Sequence, residues 1–364
     1  MRRIRRWMVS VGLLGAVLGL PGCWDQHPVE TRAAVTAIGI DPGPQPGEQR
    51  YTLTFPNVTT TTSSLATTQA GQQFYTVSVV APSLLPALAA AQRQESRTLY
   101  LGQVRILCLS THLPRAIWTR TLTAMADSGR FVMTTWVVAA PLARAVVTLT
   151  PPVEVVPEVG LYQALACHCQ GIRWPGRAWR VWAESVTPGV SAAVTAVVPL
   201  RPQFQLTRIA VLGPHRLVLW STAATAGWAY LTGRVVHDVM TVSVQHAPVV
   251  VSLIRGTAHV HFRAQGPDVT AVASLRYSGI LLGEPGGPDA LRRDRAVELT
   301  MAHQIQRRVQ AAWMAAQVTD TDPMGWHRDA AWSDPQAAAA IARWQGWSLE
   351  TTVHFTLREE GNVR

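Results

Sequence analysis

Apolar residues change their spacing late in this chain, and that change limits the folds open to it. Across 206–212, 216–220, 229–236, 239–245, 249–253, 258–262 and 269–277 they fall in short β-type runs, punctuated by Gly213-Pro214-His215, Gly256 and Gly266-Pro267. Val297, Met301, Ile305, Val309 and Trp313 then recur every four residues, with Arg292, Arg293, Arg307 and Arg308 on other faces. This spacing predicts one long amphipathic helix over 289–318, started by Pro288-Asp289 and with its apolar stripe facing a core. A closing run at 349–358 alternates Thr, Val, Phe and Leu with polar residues and predicts a strand beside that helix. Neither an all-β sandwich nor a helical bundle satisfies both signals.

The first half shows the mixed pattern from its start. β-rich runs at 35–40, 51–55, 74–80, 104–109 and 131–139 alternate with helix-like segments at 84–92 and 114–126. Strands interleaved with short helices predict a layered domain of the α+β or mixed α/β class. Residues 57–73 are rich in Thr, Ser and Gln and read as a polar loop. Pro199 and Pro202 close the 193–198 run, which places a boundary at 200–206. The expected organisation is therefore a segment 1–22, an N-terminal α/β domain 23–205 and a C-terminal region 206–364. That last region divides into a β-rich part 206–283 and a helix–strand part 284–364.

Residues 1–22 read as a signal peptide. Arg2, Arg3, Arg5 and Arg6 precede 14 uncharged residues from Trp7 to Leu20, short of the roughly 20 that cross a bilayer as a helix. Leu20-Pro21-Gly22-Cys23 follows directly. A small residue before a cysteine at the end of such a run is the layout of a bacterial lipoprotein signal. Cleavage after Gly22 would leave Cys23 carrying a diacylglycerol on its thiol and an acyl group on its new amino terminus. Each buried methylene contributes about 0.8 kcal/mol, so two or more chains tether a protein stably where one does not.

Composition excludes several function classes. All 32 basic residues are Arg, so no lysine chemistry is available, neither Schiff base nor phosphate-loop lysine. The formal charge of +10 includes four arginines in residues 1–22; without them 28 basic residues face 22 acidic ones, or +6. That surplus is spread over both halves and is no nucleic-acid footprint. No His-Glu-x-x-His, Gly-x-Ser-x-Gly or dinucleotide fingerprint occurs, so no catalytic residue and no metal site is expected. Cys108, Cys167 and Cys169 read as small buried unpaired thiols. Asp320-Thr321-Asp322 offers two carboxylates, too few for calcium, and Asp322-Pro323-Met324-Gly325 reads as a turn. Trp313, Trp326, Trp332, Trp344 and Trp347 read as a local Trp-rich core rather than a sugar platform.

Several segments together resemble a known family. Cys23-Trp24-Asp25, Ile38-Gly39-Ile40-Asp41, Arg97-Thr98-Leu99-Tyr100-Leu101-Gly102 and Thr150-Pro151 with Glu154 and Pro157 resemble the first half of the Ger(x)C spore germination lipoproteins. Leu217 to Trp220, Gly227, Leu231-Thr232-Gly233-Arg234, the long helix, Asp322-Pro323-Met324-Gly325, Trp332, Trp344 and Arg358-Glu359-Glu360-Gly361 continue the likeness in order. The chain departs from the family pattern at Pro28, at Gln103 and across 221–226, where the family's acidic residues are missing.

The resemblance implies three α/β domains and a non-enzymatic role as the C subunit of a nutrient germinant receptor. It implies a lipid anchor at Cys23 on the extracytoplasmic face of the spore inner membrane. Its implied partners are the A- and B-type membrane subunits, with no cofactor and no nucleic acid. Trp24 and Asp25, directly after the anchor, are the expected structural or docking residues. A lipid-anchored solute-binding protein is the rival reading; it would show two similar lobes.

Overall fold

The computed structural model describes residues 31–57, 74–150, 154, 156–167, 171–200, 202–244, 247–265, 268–282, 290–333, 344 and 346–358. Strands β1 (Arg32–Ala34), β2 (Ala37–Pro42), β3 (Gln49–Pro56) and β4 (Phe74–Ala81) lead into helix α1 (Leu84–Gln92). Then come β5 (Thr98–Tyr100), β6 (Ile106–Ser110), α2 (Arg115–Ser128), β7 (Trp136–Ala140), α3 (Ala143–Val147), α4 (Pro157–Ala166) and α5 (Ala178–Val186). The chain continues through β8 (Ala193–Leu200), β9 (Gln203–Leu212), β10 (Leu217–Leu219) and α6 (Thr222–Leu231). It ends with β11 (Val239–Val244), β12 (Ala247–Gln265), β13 (Asp268–Leu282), α7 (Ala290–Thr319), α8 (Trp326–Ser333) and β14 (Trp347–Leu357). The class is mixed α+β, as the sequence predicts.

Eight strands form one sheet in the order β10-β9-β8-β7-β6-β2-β3-β4. Its middle, β8-β7-β6-β2, is parallel, and antiparallel strands flank both sides. Strands buried on both faces need continuous apolar runs. Ile106-Leu107-Cys108-Leu109 and Trp136-Val137-Val138-Ala139-Ala140 are such runs, and every one of these residues is buried. Alternate side chains enter different cores, because the strand period is two. Leu107, Leu109, Val137 and Ala139 join Trp118, Leu122 and Met125 of α2 on one face. Ile106, Cys108, Trp136 and Val138 face α3, α4 and α6 on the other, in a core that continues through β11–β14 and α7.

The second sheet, β11-β12-β13-β14, pairs β13 with β14 in parallel and is otherwise antiparallel. Helix α7 lays Val297, Met301, Ile305, Val309 and Trp313 into the core, each nearly or fully buried. The predicted stripe is thus the buried face. Helix α6 packs against α7 at Gly227, where a Cβ would stand 1.9 Å from the Arg308 carbonyl oxygen.

Four expectations need correction. The strand predicted at 229–236 is the end of α6 and its turn: seven of the ten α6 residues are buried, so no helical apolar stripe shows in the sequence. Residues 131–135 are not strand; the Thr135 hydroxyl bonds the Val104 and Val132 carbonyl oxygens at 2.7 and 2.6 Å and shapes a turn before β7. The runs 249–253 and 258–262 are one strand, β12, with a bulge between Leu253 and Arg255. Cys108 is a buried free thiol, whereas Cys167 is disulfide-bonded, its partner beyond the described residues. The boundary expected at 205 falls inside β9, which pairs with β8 from Ala193↔Val211 to Leu200↔Gln203. The polar loop read at 57–73 lies almost wholly outside the described residues.

Candidate functional site

Cys23, Trp24 and Asp25 lie outside the described residues, which begin at Thr31. Among the described residues no helix is long and apolar enough to cross a membrane, and no group of three or more His, Cys, Asp or Glu is placed to hold a metal.

The other recurring segments build joints. At the end of β2 the buried Asp41 carboxylate accepts the Ala143 and Arg144 N–H groups at 2.7 and 2.8 Å, capping α3. Gly39, two residues earlier, lets α3 lie against the strand, since a Cβ there would stand 3.0 Å from Val147 and 3.2 Å from the Ala143 backbone. The Thr54 hydroxyl donates to the Val147 carbonyl at 2.9 Å and holds the other end of that helix. Ile38-Gly39-Ile40-Asp41 is therefore a sheet–helix junction. The 97–102 segment is tied down similarly: Gln92 donates to the Arg97 carbonyl at 2.8 Å and accepts the Leu99 N–H at 2.9 Å. Arg32 lies over the Tyr100 ring at 4.9 Å. At the start of α4 the Glu158 carboxyl is buried, and desolvation raises its pKa.

Leu231-Thr232-Gly233-Arg234 ends α6. The Arg234 N–H bonds the Ala229 carbonyl at 2.8 Å and the Gly233 N–H bonds that of Tyr230 at 3.3 Å, while Gly233 takes the left-handed conformation. This is a Schellman cap, which favours glycine at that position. Asp320 closes α7 in the same way, with Thr321 N–H bonded to the Ala316 carbonyl.

Asp322 serves as a helix cap. Its buried carboxylate accepts the Gly325 N–H at 2.9 Å and the His327 N–H at 2.7 Å, capping α8. Burial pushes its pKa from 3.8 up to about 7, against the pull of those N–H bonds. The His327 ring stands 4.1 Å from Trp344 and 5.1 Å from Trp347, and burial lowers its pKa from 6.5 to about 4. Trp313, Trp326, Trp344 and Trp347 are buried around it, the local core expected from sequence; Trp332 is exposed, with Arg328 over its ring.

What faces solvent is one side of the second sheet. The register sets Arg255, the buried Ser278 and Thr356 side by side, then Thr257, Arg276 and His354, then His259, Ser274 and Thr352. His261 and Glu350 flank Val272, and Arg263 continues the row beside Thr270 and Ser348. Glu350 pairs with Arg263. Arg255, Arg276, His354 and Arg358 edge a shallow pit of about 300 Å³ on this face. The opposite side chains, including Ala271, Ala273, Leu275 and Tyr277, are in the core. These arginines and histidines form no cluster in the sequence, because β12, β13 and β14 bring together residues up to about a hundred positions apart.

The crystal structure of the GerBC protein matches with a TM-score of 0.57 at 15% identity, covering 88% of this chain and 97% of that one. At that identity the likeness is one of fold. No curated protein matches the sequence. Residues 25–198 match the family model described as the spore germination protein N-terminal domain. The N-terminal domain of this chain belongs to the Ger(x)C family of spore germination proteins. Those of the chain's Ger(x)C segments that lie in the described residues fall at helix caps and at close helix–strand and helix–helix contacts, and hold this fold together. At 221–226, where Ger(x)C proteins carry acidic residues, the Ser221 hydroxyl caps α6 by accepting the Ala224 N–H at 3.1 Å. Gln103, where a His is common, borders a small pit with Arg105, Tyr162 and Arg177.

Proposed function

We propose that this chain is the lipid-anchored, non-enzymatic C subunit of a nutrient germinant receptor. A diacylglycerol and an amide-linked acyl chain on Cys23 hold it on the extracytoplasmic face of the spore inner membrane, where it docks with A- and B-type membrane subunits. The observation that carries this reading is the match of residues 25–198 to the spore germination N-terminal domain, directly after the cysteine that ends the signal-like run. Tethering raises the local concentration of the chain beside its partners, so a modest docking surface suffices. The basic open face of the second sheet suits an acidic extracytoplasmic surface of those subunits. The two large, unlike sheets, of eight strands and four, speak against the two-lobed solute-binding alternative.

Cys23→Ser is expected to move the chain from the membrane to the soluble fraction of spores and to slow nutrient germination. Paired Arg255→Glu and Arg276→Glu reversal should keep the thermal midpoint and lose co-purification with the membrane subunits. Unchanged fractionation of Cys23→Ser overturns the anchor. Nutrient germination at the wild-type rate in spores lacking this gene and its paralogues overturns the receptor role.

A further inference from the structure

A cleft of about 590 Å³ opens where α5, the C-terminal turn of α6, strand β12 and helix α8 meet. Arg173, Arg180 and Arg234 line it, opposite Val260, Phe262 and Trp326. Two carboxylates stand near these arginines, Glu184 and the lining residue Asp329, and each already has an arginine partner. Glu184 is held by Arg180 at 2.7 Å, and Asp329 by Arg328 at 2.7 Å. Neither Arg173 nor Arg234 has a carboxylate within ion-pair distance among the described residues.

The two residues are tied together through the backbone. The Arg173 N–H bonds the Arg234 carbonyl at 2.7 Å, and the Arg234 Nη1 donates to the Arg173 carbonyl at 3.2 Å. Arg234 also lies over the Trp228 ring at 5.2 Å. A guanidinium carries five donors, and Arg234 spends one of them on protein. Its pKa is lowered to about 10 by burial and by the charges of Arg180 and Arg173. Like charges around the half-buried Arg234, offset only by Glu184, which Arg180 already holds, raise the affinity of the site for an external anion.

We infer that this cleft binds a small organic carboxylate, its oxygens on Arg173 and Arg234 and its apolar stem against Phe262 and Trp326. Guanidinium forks match a carboxylate bidentately, and the aromatic wall gives the stem a surface that inorganic anions lack. The site is distinct from the open sheet face and from the anchor. Its failure leaves the receptor reading standing, and loss of receptor docking leaves this site intact.

The test is calorimetric titration of the full chain, purified in detergent, with 3-phenylpropionate, inorganic phosphate and sodium chloride at matched ionic strength. Saturable binding of 3-phenylpropionate is expected, with Kd raised about tenfold or more in Arg173→Gln and in Arg234→Gln, the loss of one charge-assisted contact. Arg173 is exposed and its side chain makes no ion pair, so that variant keeps the fold even if Arg234→Gln does not. No saturable binding, equal response to chloride, phosphate binding in place of the carboxylate, or unchanged affinity in Arg173→Gln each overturn the proposal.

Discussion

Asp322 and His327 are a buried acid and base whose titrations pull stability in opposite directions. The folded Asp322 pKa of about 7 lies above its unfolded value of about 3.8, so its contribution is full below pH 4 and declines as pH rises to 7. The folded His327 pKa of about 4 lies below its unfolded 6.5, so its contribution is full above pH 6.5 and declines as pH falls to 4. Between pH 4 and 6.5 the two slopes oppose each other. Removing one partner should therefore expose the other. His327→Gln is expected to lose thermal stability as pH rises across this window, and Asp322→Asn to gain it. Thermal midpoints taken from pH 4 to 7 check this, and slopes of the same sign in both variants would refute it. At this scale the sequence was informative about type and silent about use: the turn at 322–325 was legible, but the capping of α8 and the Trp setting of His327 needed the fold.

Helices α6 and α7 show how an element can be legible or hidden by the same physics. An apolar stripe on a polar helix leaves a four-residue period, and α7 was predicted to within a residue or two of its ends. Helix α6 is buried on nearly all sides, so its sequence has no polar face to mark the period. Its one diagnostic is Gly227, where the Arg308 carbonyl of α7 occupies the place of a side chain. On an exposed helix Gly→Ala stabilises by about 1 kcal/mol through propensity. Here the sign should reverse. Gly227→Ala is expected to destabilise the chain, and Gly227→Val by about 3 kcal/mol or more, since backbone must move to admit the added carbons. Denaturant midpoints decide it; a stabilised Gly227→Ala would show that α6 and α7 do not pack this closely.

Across the whole molecule the core on the α6 side runs from Ala37 to Phe355, and the large sheet takes β9 and β10 from beyond the proline-marked boundary. A chain ended at residue 205 removes Leu206, Ile209 and Val211 from that core and strips most of β9 from the edge of β8. Exposed strand edges and open apolar faces favour aggregation over folding. Such a fragment is expected to show no cooperative thermal transition by circular dichroism, where the intact chain is expected to show one. A fragment melting in one transition near the intact midpoint would show instead that the halves fold independently.

The sequence by itself determined the signal-like start with Cys23, the class of most elements, the long helix, the closing strand and the family. These are read from local order: charge, apolar period and turn residues act within a few positions of one another. Only the tertiary structure decided that Asp41 and Asp322 cap helices, that β9 crosses the expected boundary, and that one face of the second sheet collects arginines and histidines. It alone brings Arg173 and Arg234, 61 residues apart, into one cleft. The physical reason is that such placements depend on which distant surfaces bury each other, and local sequence specifies that a face is apolar without naming the face that will cover it.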